Sequence, residues 1–121
     1  MLNLDNPTLK YWDFIEHSPI EEMFLEAALQ HIPGLEFQHQ VGRYYVDFAI
    51  PHLNIAIELD GHDYHKTKGQ RTHDAQRERL LERAGWRVIR FTGSEVYRDA
   101  ACCVQEVVDF ISALGDERQQ F

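Results

Sequence analysis

The amino-acid sequence predicts an α/β domain in which helices flank a single mixed β-sheet. Three observations predict this class: a capping motif opens a helical periodicity at residue 18, strand-like segments fill residues 35–60, and a helix, a strand and a helix follow. With 121 residues, 44% hydrophobic and 26% charged, the sequence has the size and composition of one globular domain. We expect a lead-in over residues 1–17, the folded domain over residues 18–115 and a tail over residues 116–121.

The first predicted helix begins with a capping box. Ser18 is suited to the N-cap and Pro19 to the first helical position, and Glu21 stands three residues after the cap. Apolar residues then recur at helical spacing: Ile20, Met23, Phe24, Ala27 and Ala28. The Pro-Gly pair that follows predicts that the helix ends near His31.

Three strands are predicted next, over residues 35–41, 44–50 and 54–60. Alternation in the second strand places four apolar residues on one face: Tyr44, Val46, Phe48 and Ile50. In the third strand, the same alternation places three residues together on the face opposite the isoleucines: Ala56, Glu58 and Asp60.

The rest of the chain predicts a helix over residues 69–84 that Gly85 ends, a fourth strand over residues 86–91 and an amphipathic helix over residues 99–114. The only cysteines, Cys102 and Cys103, are adjacent, and we interpret them as small apolar helix residues. Because the first residues also lack a signal-peptide pattern, we expect a cytoplasmic protein. No apolar run approaches the roughly 20 residues of a membrane span.

Charge is distributed unevenly along the chain. The formal net charge of -8 argues by itself against a nucleic-acid partner, because phosphate binding needs a basic surface. Residues 1–65 hold two basic and eleven acidic side chains, and residues 91–121 hold two and six. Residues 66–90 instead hold eight basic and three acidic side chains, a local charge of +5. The sequence therefore predicts an acidic cluster and a basic face with separate roles.

The acidic residues of the second and third strands are candidates for a metal site. Asp47 lies among apolar residues in mid-strand, and Glu58 and Asp60 end the next strand. If these strands form a hairpin, Asp47 lies beside Glu58, and such like charges need a cation between them. Carboxylate oxygens suit Mg²⁺ or Mn²⁺, which would polarise a phosphodiester and activate water. The alternative is a polar strand face open to solvent.

The loop after the third strand adds a candidate general base and candidate phosphate ligands. They are His62, His65, Lys66 and Lys68. Together with His73 and Asp60, the two histidines could instead form a zinc site, although neither a cysteine ligand nor tight ligand spacing accompanies them.

Five blocks of residues occur in order along residues 18–114 and resemble a known family. They are Ser18-Pro19-Ile20-Glu21, Val46-Asp47-Phe48, Ile57-Glu58-Leu59-Asp60-Gly61 with His65, Asp74 with Arg77, and Gly85-Trp86-Arg87-Val88-Ile89-Arg90-Phe91. Together they resemble the endonuclease-like domains related to very-short-patch (Vsr) repair nucleases, within the PD-(D/E)XK restriction-endonuclease-like superfamily. The resemblance implies a four-stranded mixed sheet flanked by helices and Mg²⁺-dependent cleavage of DNA.

The resemblance also implies the metal ligands. Asp47 looks like the metal-binding Asp of the superfamily, and Glu58 stands at its (D/E) position. Asp60 stands where the superfamily has Lys, a departure that the very-short-patch branch shares. The implied metal-ligand set is therefore Asp47, Glu58 and Asp60. Lys68 is a candidate substitute for the missing lysine, not a metal ligand.

In the very-short-patch branch a histidine after the strand is the base, and His65 is in that place here. Glu21 resembles the first-helix acid beside that histidine, although a capping glutamate can be purely stabilising. Asp74 matches a further acid of the branch, or simply balances the arginines around it.

We therefore expect a DNA endonuclease whose phosphate contacts come from four basic residues. They are Lys66, Lys68, Arg71 and Arg77. Specificity would come from a protein partner, a homodimer or the structure of the DNA, and the acidic excess elsewhere also favours a protein partner. The alternatives are a binding module of the same fold without catalysis, favoured by Asp60 at the lysine position, an RNA-cleaving toxin or phage-defence component, and a purely structural domain.

Overall fold

The computed structural model describes residues 18–61 and 67–119, with side chains described up to residue 115. Within these ranges the chain forms three helices and four strands. They are α1 (Pro19–Ala28), β1 (Glu36–Val41), β2 (Tyr44–Ile50), a 3₁₀ turn (Pro51–Leu53), β3 (Ile55–Asp60), α2 (Lys68–Arg83), β4 (Arg87–Thr92) and α3 (Gly93–Gln119). The predicted α/β class is confirmed. The lead-in over residues 1–17 lies outside the described residues, and the predicted division of the chain stays a prediction.

The four strands form a mixed sheet in the order β1-β2-β3-β4. The first three are antiparallel neighbours, whereas β4 runs parallel to β3. A parallel pair needs a crossover, and α2 supplies it. The carboxyl ends of β3 and β4 therefore lie at the same edge of the sheet, where Asp60 is the register partner of Thr92.

The helices cover opposite faces of the sheet. Side chains of α1 and α3 pack on one face in a large apolar cluster that includes Phe24, Phe48 and Phe91. On the other face, Leu81 of α2 packs in a small cluster with Val41, Val46, Ala49 and Ala56. Each fully buried large side chain contributes about 1.5–3 kcal/mol of transfer free energy, so the first face carries most of the apolar stabilisation.

The alternation of side chains in β2 changes face at Asp47. Val46 packs in the cluster of Leu81, whereas Phe48 packs in the cluster of Phe24, although the two residues are two positions apart. Opposite Asp47 in β1, Gln38 has a φ of 52°, in the left-handed region. The prediction that Tyr44, Val46, Phe48 and Ile50 share one face is therefore wrong, because the strand pair is distorted where the carboxylate lies.

The last helix begins earlier than predicted. It starts at Gly93, where Thr92 and Glu95 exchange capping hydrogen bonds of 3.0 to 3.2 Å, and is interrupted at Asp99, whose φ is -164° and ψ 88°. The Asp99 Oδ1 atom accepts from the Cys102 backbone N–H at 3.0 Å, so the predicted start is the cap of the second helical segment. None of the helices in the described part of the chain is long and apolar enough to cross a membrane.

Candidate active site

Asp47 occupies the point where β2 and β3 separate. The antiparallel register of these strands runs from Ile50 opposite Ile55 to Phe48 opposite Ile57. At the next position, the Asp47 Oδ2 atom accepts a hydrogen bond from the Leu59 backbone N–H at 2.8 Å. The carboxylate thus satisfies a backbone donor that strand pairing would otherwise satisfy, and it lies at the open fork between the strands.

Glu58 lies beside Asp47 on β3 and is the buried charged residue of the described chain, at 8% exposure. Alternation places it on the α2 side of the sheet, next after Ala56. The Arg77 Nη2 atom of α2 donates both to the Glu58 Oε1 atom and, at 2.7 Å, to the Tyr45 backbone carbonyl. The two side chains are 15% and 10% exposed, so they form a largely buried ion pair.

The environment of Glu58 disfavours its charged form. Burial and, after it, the neighbouring Asp47 carboxylate raise the pKa of Glu58 to about 7, although Arg77 acts in the opposite direction. One guanidinium therefore does not compensate two adjacent carboxylates in this desolvated position. A site of this kind favours additional positive charge.

Glu58 and Arg77 line a cleft of about 180 Å³ at this edge of the sheet. The other lining residues are Leu59, Asp60, Asp74 and Arg90. Asp60 and Asp74 are half-buried there, and Arg90 of β4 lies next to Glu58 in register, with its Nη2 atom 3.5 Å from the Glu78 Oε1 atom. Within residues 18–61 and 67–119, the histidines, cysteines and carboxylates form no group of three or more that could hold a metal ion.

Glu21 has one satisfied and one unsatisfied carboxylate oxygen. Its Oε1 atom accepts from the Ser18 backbone N–H at 3.2 Å and from the Ser18 hydroxyl at 2.9 Å, which confirms the capping box. Its Oε2 atom is buried and has no hydrogen-bond partner among the described residues. A capping role explains the first oxygen and leaves the second unexplained.

The first turn of α1 packs against the end of β3. A Cβ atom built on Gly61 would lie 3.4 Å from the Ile20 Cδ1 atom, and one built on Gly93 would lie 3.4 Å from the Gly61 Cα atom. The end of β3, the first turn of α1 and the start of α3 therefore meet within about one side-chain layer of each other. Glu21 follows Ile20 directly and thus lies in the helical turn nearest to this edge of the sheet.

Apart from Glu21, the predicted site residues fall into three groups. The structure places Asp47 and Arg77 beside Glu58, and Asp60 and Asp74 line the cleft of Glu58 and Arg77. Arg77, predicted as a phosphate contact, is only 15% exposed and pairs with Glu58 instead. Lys68 and Arg71 are exposed at the amino end of α2. His65 and Lys66 lie outside the described residues, as does the zinc alternative's His62.

Neither the pairing of Arg77 with Glu58 nor the presence of Arg90 in the cleft was predicted from the sequence. The sequence does contain a signal for the Arg77–Glu58 pair. Asp74, Arg77 and Leu81 recur at helical spacing, and Leu81 is the buried residue of α2. Arg77 therefore lies on the face of α2 that packs on the sheet. Arg90 shares a strand face with Val88, which packs in the cluster of Leu81.

Comparison with known proteins identifies the family. The model of the restriction-endonuclease-like family REase_MTES_1575 matches residues 25–111, which include the carboxylates of β2 and β3 and the whole of α2. The chain belongs to this family.

Relatives of this restriction-endonuclease-like chain come from two bacteria. Two uncharacterised Haemophilus influenzae proteins are 38% identical over 68 residues (54% of this chain, 41% of theirs) and 35% identical over 80 residues (64% and 65%). The uncharacterised Escherichia coli protein YcjD is 37% identical over 59 residues (49% and 48%). The chain thus spans about half the length of the curated relatives it matches.

A solved structure shares the fold. The catalytic domain of the homing endonuclease I-Bth0305I superposes with a TM-score of 0.63, covering 80% of this chain and 97% of that domain at 19% sequence identity. This likeness shows that the two chains share a fold, which in this chain is a four-stranded mixed sheet between helices.

Proposed function

We propose that the chain is a divalent-metal-dependent endonuclease that hydrolyses DNA phosphodiester bonds by the chemistry of the very-short-patch-repair branch. The observation that carries the proposal is the pairing of the half-buried Asp47 with the buried Glu58 at the fork between β2 and β3, with the Glu58 pKa raised to about 7. Three findings support the same proposal. They are the match to a nuclease family, the fold shared with a nuclease domain and the carboxylate pair that lacks compensating positive charge.

The donor chemistry of the pair fits a hard cation such as Mg²⁺, with Mn²⁺ as a substitute. Asp47 and Glu58 provide oxygen ligands, and each has one oxygen fixed by an N–H donor, so the pair is ordered before any cation binds. Asp60 lines the same cleft as Glu58, but because the described residues hold no group of three such ligands, we propose Asp47 and Glu58 as the protein ligands and water as the remainder of the shell. When bound there, the ion supplies Lewis-acid polarisation of the phosphodiester and a lowered pKa for the attacking water.

His65 is the proposed general base and Glu21 its orienting acid. The buried Oε2 atom of Glu21, which has no hydrogen-bond partner within residues 18–61 and 67–119, supports this pairing. A carboxylate oxygen of this kind can accept an imidazole N–H and thereby fix the tautomer and raise the basicity of the ring. Residues 62–66 follow directly after Gly61, which contacts the first turn of α1. Asp74 is proposed as a further acid of the cleft.

DNA contacts are proposed for the basic residues around α2. Lys68 and Arg71 are exposed at its amino end, and Lys66 precedes it in sequence. Contacts of this kind are made to phosphates, so we expect strong salt dependence and little base preference. Because the net charge is -8, we also propose that a protein partner or a second copy of the chain supplies specificity.

Nicking of supercoiled plasmid in Mg²⁺ or Mn²⁺ tests the proposal. Asp47→Asn and His65→Ala should each lower the rate by about 100-fold or more, since a metal ligand and a positioned base both contribute at that scale. Asp109→Asn and His31→Ala, two exposed positions, are the matched controls and should nick at the wild-type rate. Circular dichroism checks that every variant folds. Nicking that persists in both site variants contradicts the proposal.

A nucleic-acid-binding module without catalysis is the second candidate. The observation that favours it is the pairing of Glu58 with Arg77, which already provides a cation at the carboxylate pair. In that case Mg²⁺ would neither stabilise the fold nor stimulate cleavage. Parallel assays on single- and double-stranded DNA and RNA separate both candidates from an RNA-cleaving enzyme.

A further inference from the structure

The guanidinium of Arg77 binds Glu58, the carboxylate that a metal ion at the proposed site would also need. Its Nη2 atom contacts the Glu58 Oε1 atom, and the same nitrogen is 2.7 Å from the Tyr45 carbonyl oxygen. At 15% exposure, this side chain cannot move into solvent without leaving both contacts. Of the two arginines that line the cleft, Arg77 is therefore the one that contacts Glu58.

We propose that Arg77 is the counter-ion of the Asp47–Glu58 pair and competes with the divalent cation for Glu58. This inference rests on the proposed function, because it takes the two carboxylates as metal ligands. A guanidinium and a divalent ion on one carboxylate repel each other strongly in a desolvated site. Binding of the metal therefore displaces Arg77 from Glu58, and the strength of the ion pair lowers the metal affinity of the free protein.

The surroundings of Arg77 allow this exchange. Asp74 lies one helical turn earlier on α2 and lines the same cleft, so a displaced guanidinium still has a carboxylate within a helical i,i+3 distance. The buried Leu81 also packs α2 on the sheet, through apolar contacts that do not involve Arg77. The other partner that Arg77 leaves, the Tyr45 carbonyl, is neutral and belongs to an exposed residue that water can reach.

Titration of the protein with Mn²⁺ alone, followed by electron paramagnetic resonance of the free ion, tests the proposal. Arg77→Gln should bind Mn²⁺ about tenfold more tightly than the wild type, since removing one nearby positive charge at intermediate dielectric has an effect of at least that size. Arg79→Gln is the matched control: it makes the same charge change on the exposed side of the same helix, and its affinity should stay within about twofold because exposed charges are screened.

The outcomes separate this inference from the function on which it rests. If Arg77→Gln binds Mn²⁺ no more tightly than the wild type, Arg77 is not a competitor and the inference is wrong. If neither protein binds Mn²⁺, the proposed metal site itself is wrong.

A second variant covers the case in which Arg77→Gln fails to fold. Arg77→Lys keeps the charge but lacks the planar fork that reaches Glu58 and Tyr45 together, so it should bind Mn²⁺ about threefold more tightly than the wild type. An affinity at or below the wild-type value in this folded variant also overturns the inference.

Discussion

The sheet face covered by α1 and α3 differs from the face covered by α2 in apolar content and in charge. The first contains a cluster in which the Phe24 ring lies 5.1 Å from that of Phe48 and 6.1 Å from that of Phe91. Leu81 is the buried residue of α2 on the second face. The charged residues of α1 are all acidic, whereas α2 carries five basic and three acidic side chains.

This difference assigns most of the stability to the face covered by α1 and α3 and the candidate active site to the face covered by α2. Large apolar contacts on one face hold the sheet and two helices together, which allows the other face to keep Glu58 and Arg77 buried at an energetic cost. A buried ion pair is weak evidence for stability, and here it lies beside an additional carboxylate that makes it less favourable still. The α2 face is therefore the one whose arrangement needs a functional explanation.

Truncating the two faces in parallel gives the largest expected effect. Phe24→Ala should lower the free energy of unfolding by about 3–5 kcal/mol, because it leaves a cavity between two other rings. Leu81→Ala on the α2 face should cost about 2–3 kcal/mol, since its smaller cluster can collapse more easily. Urea denaturation measures both, and Glu26→Ala, an exposed position on α1, is the control. A larger loss from Leu81→Ala than from Phe24→Ala would reverse the comparison.

The pH dependence of stability should reveal the strained carboxylate on the α2 face. Because the folded pKa of Glu58, about 7, lies above its ordinary value of 4.5, protonation favours the fold: the contribution is full below pH 4.5 and is lost as the pH rises through about 7. In metal-free buffer, the wild type should lose roughly 2–3 kcal/mol relative to Glu58→Gln over this range. Unfolding free energies at several pH values measure the difference.

A control and a contrary result complete that experiment. Glu82→Gln removes an exposed glutamate of α2, and its stability curve should run parallel to that of the wild type. If the curves of Glu58→Gln and the wild type also run parallel, Glu58 is not strained and the α2 face needs no special explanation.

Much of the fold was predictable because its signals are local. The capping box at Ser18 and the glycine after α2 mark element boundaries in a few residues each. The start of α3 was missed, although Thr92 and Glu95 form a capping box of the same kind, because the apolar periodicity begins only after the break at Asp99. The face change in β2 was not predicted, since it accompanies a distortion of the β1–β2 pair at Gln38 that the apolar alternation of β2 does not indicate.

The candidate site was predictable in part for a similar reason. The adjacency of Asp47 and Glu58 follows from a hairpin with a short turn, which alternation indicates. The pairing of Glu58 with Arg77 depends on how a helix packs across the sheet, so it needs the tertiary structure or the helical spacing to Leu81. The raised pKa of Glu58 depends on burial, which a sequence does not state.

The helix caps of the two faces give the smallest and most closely matched comparison. Ser18 and Thr67 make the same capping box, with Glu21 on α1 and with Gln70 on α2, but the first is partly buried and the second exposed. Ser18→Ala should therefore cost about 1 kcal/mol and Thr67→Ala about 0.5 kcal/mol, because fraying of an exposed turn leaves fewer buried contacts unmade. Denaturation midpoints at a constant denaturant slope measure the two losses. Equal losses of unfolding free energy, or a larger loss for Thr67→Ala, would show that the amino end of α2 is held as firmly as that of α1. The proposed release of Arg77 from Glu58 would then have to occur without movement of the helix.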